Sequence, residues 1–182
     1  MKLYPKLPNC NRASLYHKRD DTLLMVTDEV GDFLYGLVRL TKPIVCVETG
    51  THFGDSAFQI GSALKKNGVG SLITCEPNLG YAARARDRLI DLPVAVSNVT
   101  GVELLKSIHA PIDFAFIDSG DVPVRLEELQ LLHNITVNPL GIVAWHDACE
   151  GYDALYEYFQ QRAWPHLIFP SIVGIAVFQR PE

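Results

Sequence analysis

The chain has 182 residues, 48% of them hydrophobic and 20% charged, which suits one globular domain with a sizeable core. A net charge of −5 leaves no electrostatic footprint for nucleic acid, so no nucleic-acid partner is expected. No apolar run reaches the length of a membrane span and the N-terminus lacks the apolar centre of a signal peptide, so the expectation is a cytoplasmic protein with no membrane partner.

Residues 1–20 are polar and irregular, with Pro5 and Pro8, and read as an N-terminal arm or lid ahead of a single domain over 21–182. Thr27 is placed to cap a helix that carries Asp28 and Glu29 in its positive first turn. Val30, Phe33, Leu34, Leu37, Val38 and Leu40 then form an apolar face, and Lys42-Pro43 ends it. Residues 44–47 have the β-branched character of a buried parallel strand, closed by Glu48. Gly50 and Gly54 follow, and a helix with polar caps opens at Asp55-Ser56 and runs to about Lys66, stopped by Asn67-Gly68. A second strand spans 71–75 and ends at Glu76, and Pro77 opens a helix over 79–89. A short strand over 94–96 leads to Ser97-Asn98, and a helix over 101–108 follows. The fourth strand, 112–117, ends at Asp118 and precedes a helix over 124–133. After the turn Pro139-Leu140-Gly141, a fifth strand over 142–145 ends at His146-Asp147. The tail offers a helix over 153–162 and two strands, 166–169 and 173–179, joined closely enough by residues 170–172 for an antiparallel hairpin. Five alternations of strand and helix with short connections predict an α/β fold with a Rossmann-like, doubly wound, mostly parallel sheet.

The chemistry concentrates where strands end. In an open parallel sheet ligands bind beyond the carboxyl ends of the strands, and here those ends carry Glu48, Glu76, Ser97-Asn98, Asp118 and His146-Asp147. The loop Glu48-x-Gly50-x-x-x-Gly54 lacks the tighter Gly-x-Gly-x-x-Gly turn of a dinucleotide fold. Its glycines allow close backbone approach and the following helix start offers free N–H groups, while Glu48 repels phosphate and suits a ligand amine. A ligand cationic at one end and adenosine-like at the other fits, and S-adenosylmethionine is such a ligand. Glu76 lies at the distance from the glycine loop at which an acid pairs with ribose hydroxyls, the alternative being an acid at a helix N-terminus. Asp118, His146 and Asp147 suit a divalent ion such as Mg²⁺, Mn²⁺ or Ca²⁺; alternatively Asp118 meets a cofactor amine and Asp147 caps a helix. His52 reads as a solvated loop histidine, with a ligand-facing position as the alternative. Cys10, Cys46, Cys75 and Cys149 are widely spaced; Cys46 and Cys75 fall in strands and are expected to be reduced core residues.

These residues resemble class I S-adenosylmethionine-dependent methyltransferases, in particular the catechol and caffeoyl-CoA O-methyltransferase type. Residues 25–34 resemble that family's first core helix, and Glu48-Thr-Gly50-Thr-His-Phe-Gly54-Asp-Ser56 is similar to its glycine motif. Phe116-Ile-Asp118-Ser-Gly-Asp121 and Gly141-Ile-Val-Ala-Trp-His146-Asp147-Ala148 resemble its two acidic segments. The resemblance implies seven strands with the last antiparallel. It also implies cofactor contacts: Val26 and Ser56 near the methionine carboxylate, Glu76 on the ribose, Ser97 and Asn98 near adenine, and Asp118 near the methionine amine. Two positions depart from the pattern, Asp121 where the family's general-base lysine falls and Ala148 where its metal-binding asparagine falls. His146-Asp147 looks more like antibiotic and sugar O-methyltransferases. The expected function is O-methylation of a small-molecule hydroxyl, with Asp118 and His146 in the catalytic half. The alternative is a catalytically inactive cofactor-binding protein of the same fold. The acceptor pocket is expected to be either open or completed by residues 1–20 or by a second subunit of a homodimer.

Overall fold

A computed structural model describes residues 26–134, 137–148, 152–162, 164–169 and 174–181. The expected arm over 1–20, the hairpin link at 170–172, Cys10 and Cys149 lie outside the described residues. Seven strands, β1 (Val45–Thr49), β2 (Ser71–Cys75), β3 (Val94–Ser97), β4 (Ile112–Ile117), β5 (Val137–His146), β6 (His166–Phe169) and β7 (Ile175–Gln179), form one sheet in the order β3-β2-β1-β4-β5-β7-β6. The first five pair in parallel, and β7 runs antiparallel to both β5 and β6. Strand order reverses between β1 and β4, so the crevice of this sheet opens at their carboxyl ends.

Among the described residues, six helices cover the two faces: α1 (Asp28–Thr41), α2 (Asp55–Asn67), α3 (Leu79–Leu89), α4 (Gly101–Ser107), α5 (Val122–Asn134) and α6 (Tyr152–Gln160). Alternation along each strand divides the core between them. Cys46, Leu72, Phe114, Phe116 and Ala144 pack with Leu34 and Val38 of α1, Ile60 and Leu64 of α2 and Leu89 of α3. Val47, Cys75, Ala115, Ile117, Val143 and Trp145 face Leu105 of α4, Leu129 and Leu132 of α5 and Leu155 of α6. Cys46 and Cys75 are free thiols at zero exposure, and burial pushes both pKa values up, as befits inert core residues.

Several local expectations are refined. Thr27 occupies the α1 N-cap position with extended backbone, but its side chain makes no capping bond. The α2 N-cap is Gly54, left-handed at φ 85°, and Asp55 in the first turn pairs with Arg88 at 2.5 Å. Asn78, after Pro77, caps α3 by accepting from the N–H groups of Gly80 and Tyr81. Thr100 and Glu103 form a reciprocal capping box at the start of α4. Leu140, at φ 65°, sits within β5, which begins at Val137 and changes register against β4 between Ile112 and Phe114; the expected turn at 139–141 is therefore a strand irregularity.

Candidate functional site

Register brings the polar strand ends together. Ser97, Cys75, Thr49, Ile117 and Trp145 lie in one row across β3, β2, β1, β4 and β5. The next residue on each strand is Asn98, Glu76, Gly50, Asp118 and His146, a single polar line along the carboxyl edge. Gly50 has φ 85°, and a Cβ there would lie 2.4 Å from the Asp118 carbonyl oxygen. Only glycine lets the exits of β1 and β4 approach this closely.

Glu48 lies one residue inside this line, because β1 continues through Thr49 rather than ending at Glu48. The side chain is fully buried; its Oε2 accepts from Thr74 Oγ1 at 2.5 Å, and Thr74 meets Thr51 Oγ1 at 2.5 Å. Its Oε1 has no hydrogen-bond partner among the described residues. Burial pushes the carboxyl up to about 7, helped by Asp118 and opposed by the Ser56 and Thr74 hydroxyls. Glu76, 8% exposed, accepts from the backbone N–H of His52 at 3.0 Å and of Asn78 at 2.8 Å, one on each oxygen. Asn98 donates its amide to the carbonyls of Glu76 at 2.7 Å and Pro77 at 3.0 Å, tying the end of β3 to the turn after β2. Ser97 is half-buried beside it, Ser56 is buried in the first turn of α2, and Val26 packs partly buried against the core on the α1 side. His52 is half-buried: its ring packs 3.9 Å from Phe53 and 4.8 Å from Tyr81, centroid to centroid, and its Nδ1 is buried without a partner among the described residues.

At the β4 and β5 exits, His146 Nδ1 lies 2.8 Å from Asp118 Oδ1 and 3.6 Å from Asp147 Oδ1. With Asp118 ionised and the imidazole neutral, Nδ1 carries the proton and Nε2 is a lone-pair acceptor; Nε2 is buried and has no partner among the described residues. Burial alone would lower the His146 pKa, but Asp118 and Asp147 outweigh it and hold the imidazole above its ordinary value. An imidazole fixed at one nitrogen by a carboxylate and free at the other can take a proton from a hydroxyl.

Two groups on α5 complete the cluster. Arg125, 7% exposed, donates to the carbonyls of Ser119, Gly120 and His146 at 2.9–3.1 Å and to Asp147 Oδ2 at 3.0 Å, and its Nη2 lies 3.9 Å from Asp118 Oδ1. Glu128 is fully buried and accepts from Thr49 Oγ1 at 2.8 Å and from Ser119 Oγ. Gly101 makes room for it, since a Cβ there would overlap Glu128 Oε1 at 1.9 Å. Asp121 is exposed, and its Oδ1 accepts from the Val124 N–H at the start of α5, so its carboxylate caps a helix instead of joining the cluster.

The three expected metal donors do come together: one ligand atom each from Asp118, His146 and Asp147 lie within 4.8 Å of one another. Their partners fit a hard divalent ion poorly. Asp118 and His146 bond each other, Asp147 bonds a guanidinium, and buried Ala148 offers no side-chain oxygen beside them. The other end of the edge suits S-adenosylmethionine better. Glu48 Oε1 is a buried acceptor without a donor, and the Glu76 carboxylate keeps lone pairs after its two backbone bonds.

No curated protein matches the chain significantly. Among solved structures, the S-adenosylhomocysteine-bound methyltransferase PaMTH1 of Podospora anserina superposes with a TM-score of 0.79 at 14% identity, covering 97% of this chain and 89% of that one. The O-methyltransferase TomG of Streptomyces achromogenes, involved in tomaymycin synthesis and in complex with S-adenosylmethionine, gives 0.75 at 19% identity, covering 93% and 94%. An O-methyltransferase of Bacillus cereus in complex with S-adenosylhomocysteine gives 0.71 at 19% identity, covering 93% and 87%. At these identities the likeness is one of fold. The sequence match is more telling: the methyltransferase domain family matches residues 47–148, from β1 through Ala148. That segment holds every polar strand end described above and more than half of the chain, which therefore belongs to the methyltransferase domain family.

Proposed function

We propose that this chain transfers the methyl group of S-adenosylmethionine to a hydroxyl of a small-molecule acceptor, with His146 as general base and without a divalent metal. The observation that carries the reading is the Asp118–His146 pair, which engages one imidazole nitrogen and leaves the buried Nε2 without a partner among the described residues. S-adenosylmethionine, when bound, supplies an electrophilic methyl on a positively charged sulfur. Gly50 and Gly54 shape the loop that receives it, Glu48 and Ser56 offer polar groups to its methionine end, and Glu76 accepts from its ribose. Val26, Ser97 and Asn98 line the same groove. His146 Nε2 takes the acceptor's hydroxyl proton, Asp118 steadies the ring, and the rest of catalysis is positioning. Short connections between the strands favour a small acceptor over a macromolecule.

The test combines binding and turnover. Calorimetry should show S-adenosylhomocysteine binding to the wild type, weakened about 10- to 100-fold by Glu76→Ala through loss of charge-assisted bonds. Labelled methyl should pass to small phenols or sugars in the presence of EDTA, and His146→Ala should slow the transfer by about 10²–10⁴. Absence of S-adenosylhomocysteine binding overturns the reading. Binding without transfer to any acceptor favours an inactive cofactor-binding protein.

A further inference from the structure

We infer that Arg125 is the resident counter-cation of the Asp118–His146–Asp147 cluster, occupying electrostatically the place where a divalent ion would otherwise sit. The inference rests on the metal-free reading above and explains it.

The guanidinium is almost wholly buried, so its charge is not dispersed into water. It bonds Asp147 Oδ2 at 3.0 Å and faces Asp118 Oδ1 at 3.9 Å, so one fixed positive charge serves both carboxylates. The imidazole, within 2.8 Å of one and 3.6 Å of the other, is the second group able to turn positive there. Glu128, the remaining acid nearby, faces the hydroxyls of Thr49 and Ser119. A divalent ion on the same oxygens would have to displace the guanidinium from Asp147 and then lie beside it, where burial weakens the screening of their repulsion. Displacement is opposed by the other donors. They hold the carbonyls of Ser119 and Gly120 after β4 and of His146 at the end of β5, so the arginine clamps both exits that carry the donor atoms. A planar fork with several donors can do this and an ammonium cannot, which makes Arg125 a positioning residue for His146 as well as a charge.

Mn²⁺ titration followed by electron paramagnetic resonance tests this without any turnover. Wild-type protein should leave Mn²⁺ free up to about 1 mM, the weak end of carboxylate sites. Arg125→Met removes the charge while keeping a long apolar stem, and should bind Mn²⁺ at least about tenfold more tightly than wild type. Adding Asp147→Asn to that variant should abolish the gain. If Arg125→Met shows no cooperative melting transition, Arg125→Gln takes its place: it removes the charge while keeping amide donors for the carbonyls and should show the same gain in Mn²⁺ binding. Stoichiometric Mn²⁺ binding by wild type that Asp147→Asn removes would overturn the inference, as would a folded Arg125→Met or Arg125→Gln no tighter than wild type. Failure of methyl transfer alone touches only the proposed function, because none of these readings involves an acceptor.

Discussion

Replacing Glu48 by glutamine should reverse part of the protein's pH dependence of stability. The carboxyl is fully buried and its Oε1 is unpartnered, and burial carries its pKa from 4.5 to about 7. Between those values the folded protein holds a proton that the unfolded chain has already released. The folded state therefore binds more protons, and stability falls as pH rises from 4.5 to about 7, then stops changing on this account. At about 1.4 kcal/mol per pH unit, the window corresponds to roughly 3 kcal/mol lost when Glu48 is ionised. Glutamine is neutral throughout and nearly isosteric, and its carbonyl can still accept from Thr74. Urea denaturation of wild type and Glu48→Gln at pH 5 and pH 8 isolates the contribution, since Asp118, Glu128 and His146 titrate in both proteins. The variant should gain on wild type by roughly 3 kcal/mol between the two pH values. A stability difference that stays constant from pH 5 to pH 8 would refute the claim that this buried carboxyl is ionised there at a cost.

Two further outcomes follow from the same edge. The His146 pKa is raised, so its contribution to stability is present below 6.5 and is lost as pH rises through the higher folded value. Its ring-proton NMR titration should have a midpoint above 6.5, and Asp118→Asn should bring the midpoint down; an unmoved midpoint removes Asp118 as the cause. Gly50→Ala combines a left-handed φ of 85° with a Cβ 2.4 Å from a backbone oxygen that cannot rotate away, and should cost roughly 2–4 kcal/mol in urea denaturation. A loss below about 0.5 kcal/mol would mean that the two strand exits separate easily.

The sheet and its polar edge were legible because apolar runs of strand length end in single polar residues. A parallel sheet gathers such ends whatever the helices between them do. Glu48 was legible as a polar residue near the strand end but not as a buried one: the apolar run stops before it, yet Glu48↔Thr74 and Thr49↔Cys75 pairing with β2 carries the strand on. His52 looked solvated because the rings that cover it include Tyr81, 29 positions away in a different element. The Asp121 cap was hidden by the helix start, which lies at Val122, two residues ahead of the expected one, with Pro123 tolerated in the first turn.

Arg125 and Glu128 were missed for a deeper reason. A charged residue on a helix is ordinarily assigned to water, and α5 spreads its charged and apolar residues around its circumference without a clean apolar stripe. Taken from Leu129 and Leu132 instead, helical spacing returns to 125 and 128, so the two charges share the inward face with the two leucines. All four are indeed buried. Such a face is stable only if the sheet end supplies partners, and the sequence holds them at a distance: Thr49 and Ser119 for Glu128, Asp118 and Asp147 for Arg125. Gly101, on α4, supplies the space. Removing one member strands the others as buried charges, which costs far more than the net gain from forming the set. The cluster thus fixes the relative placement of α4, α5 and the ends of β1, β4 and β5, and the orientation of the His146 imidazole follows from that placement.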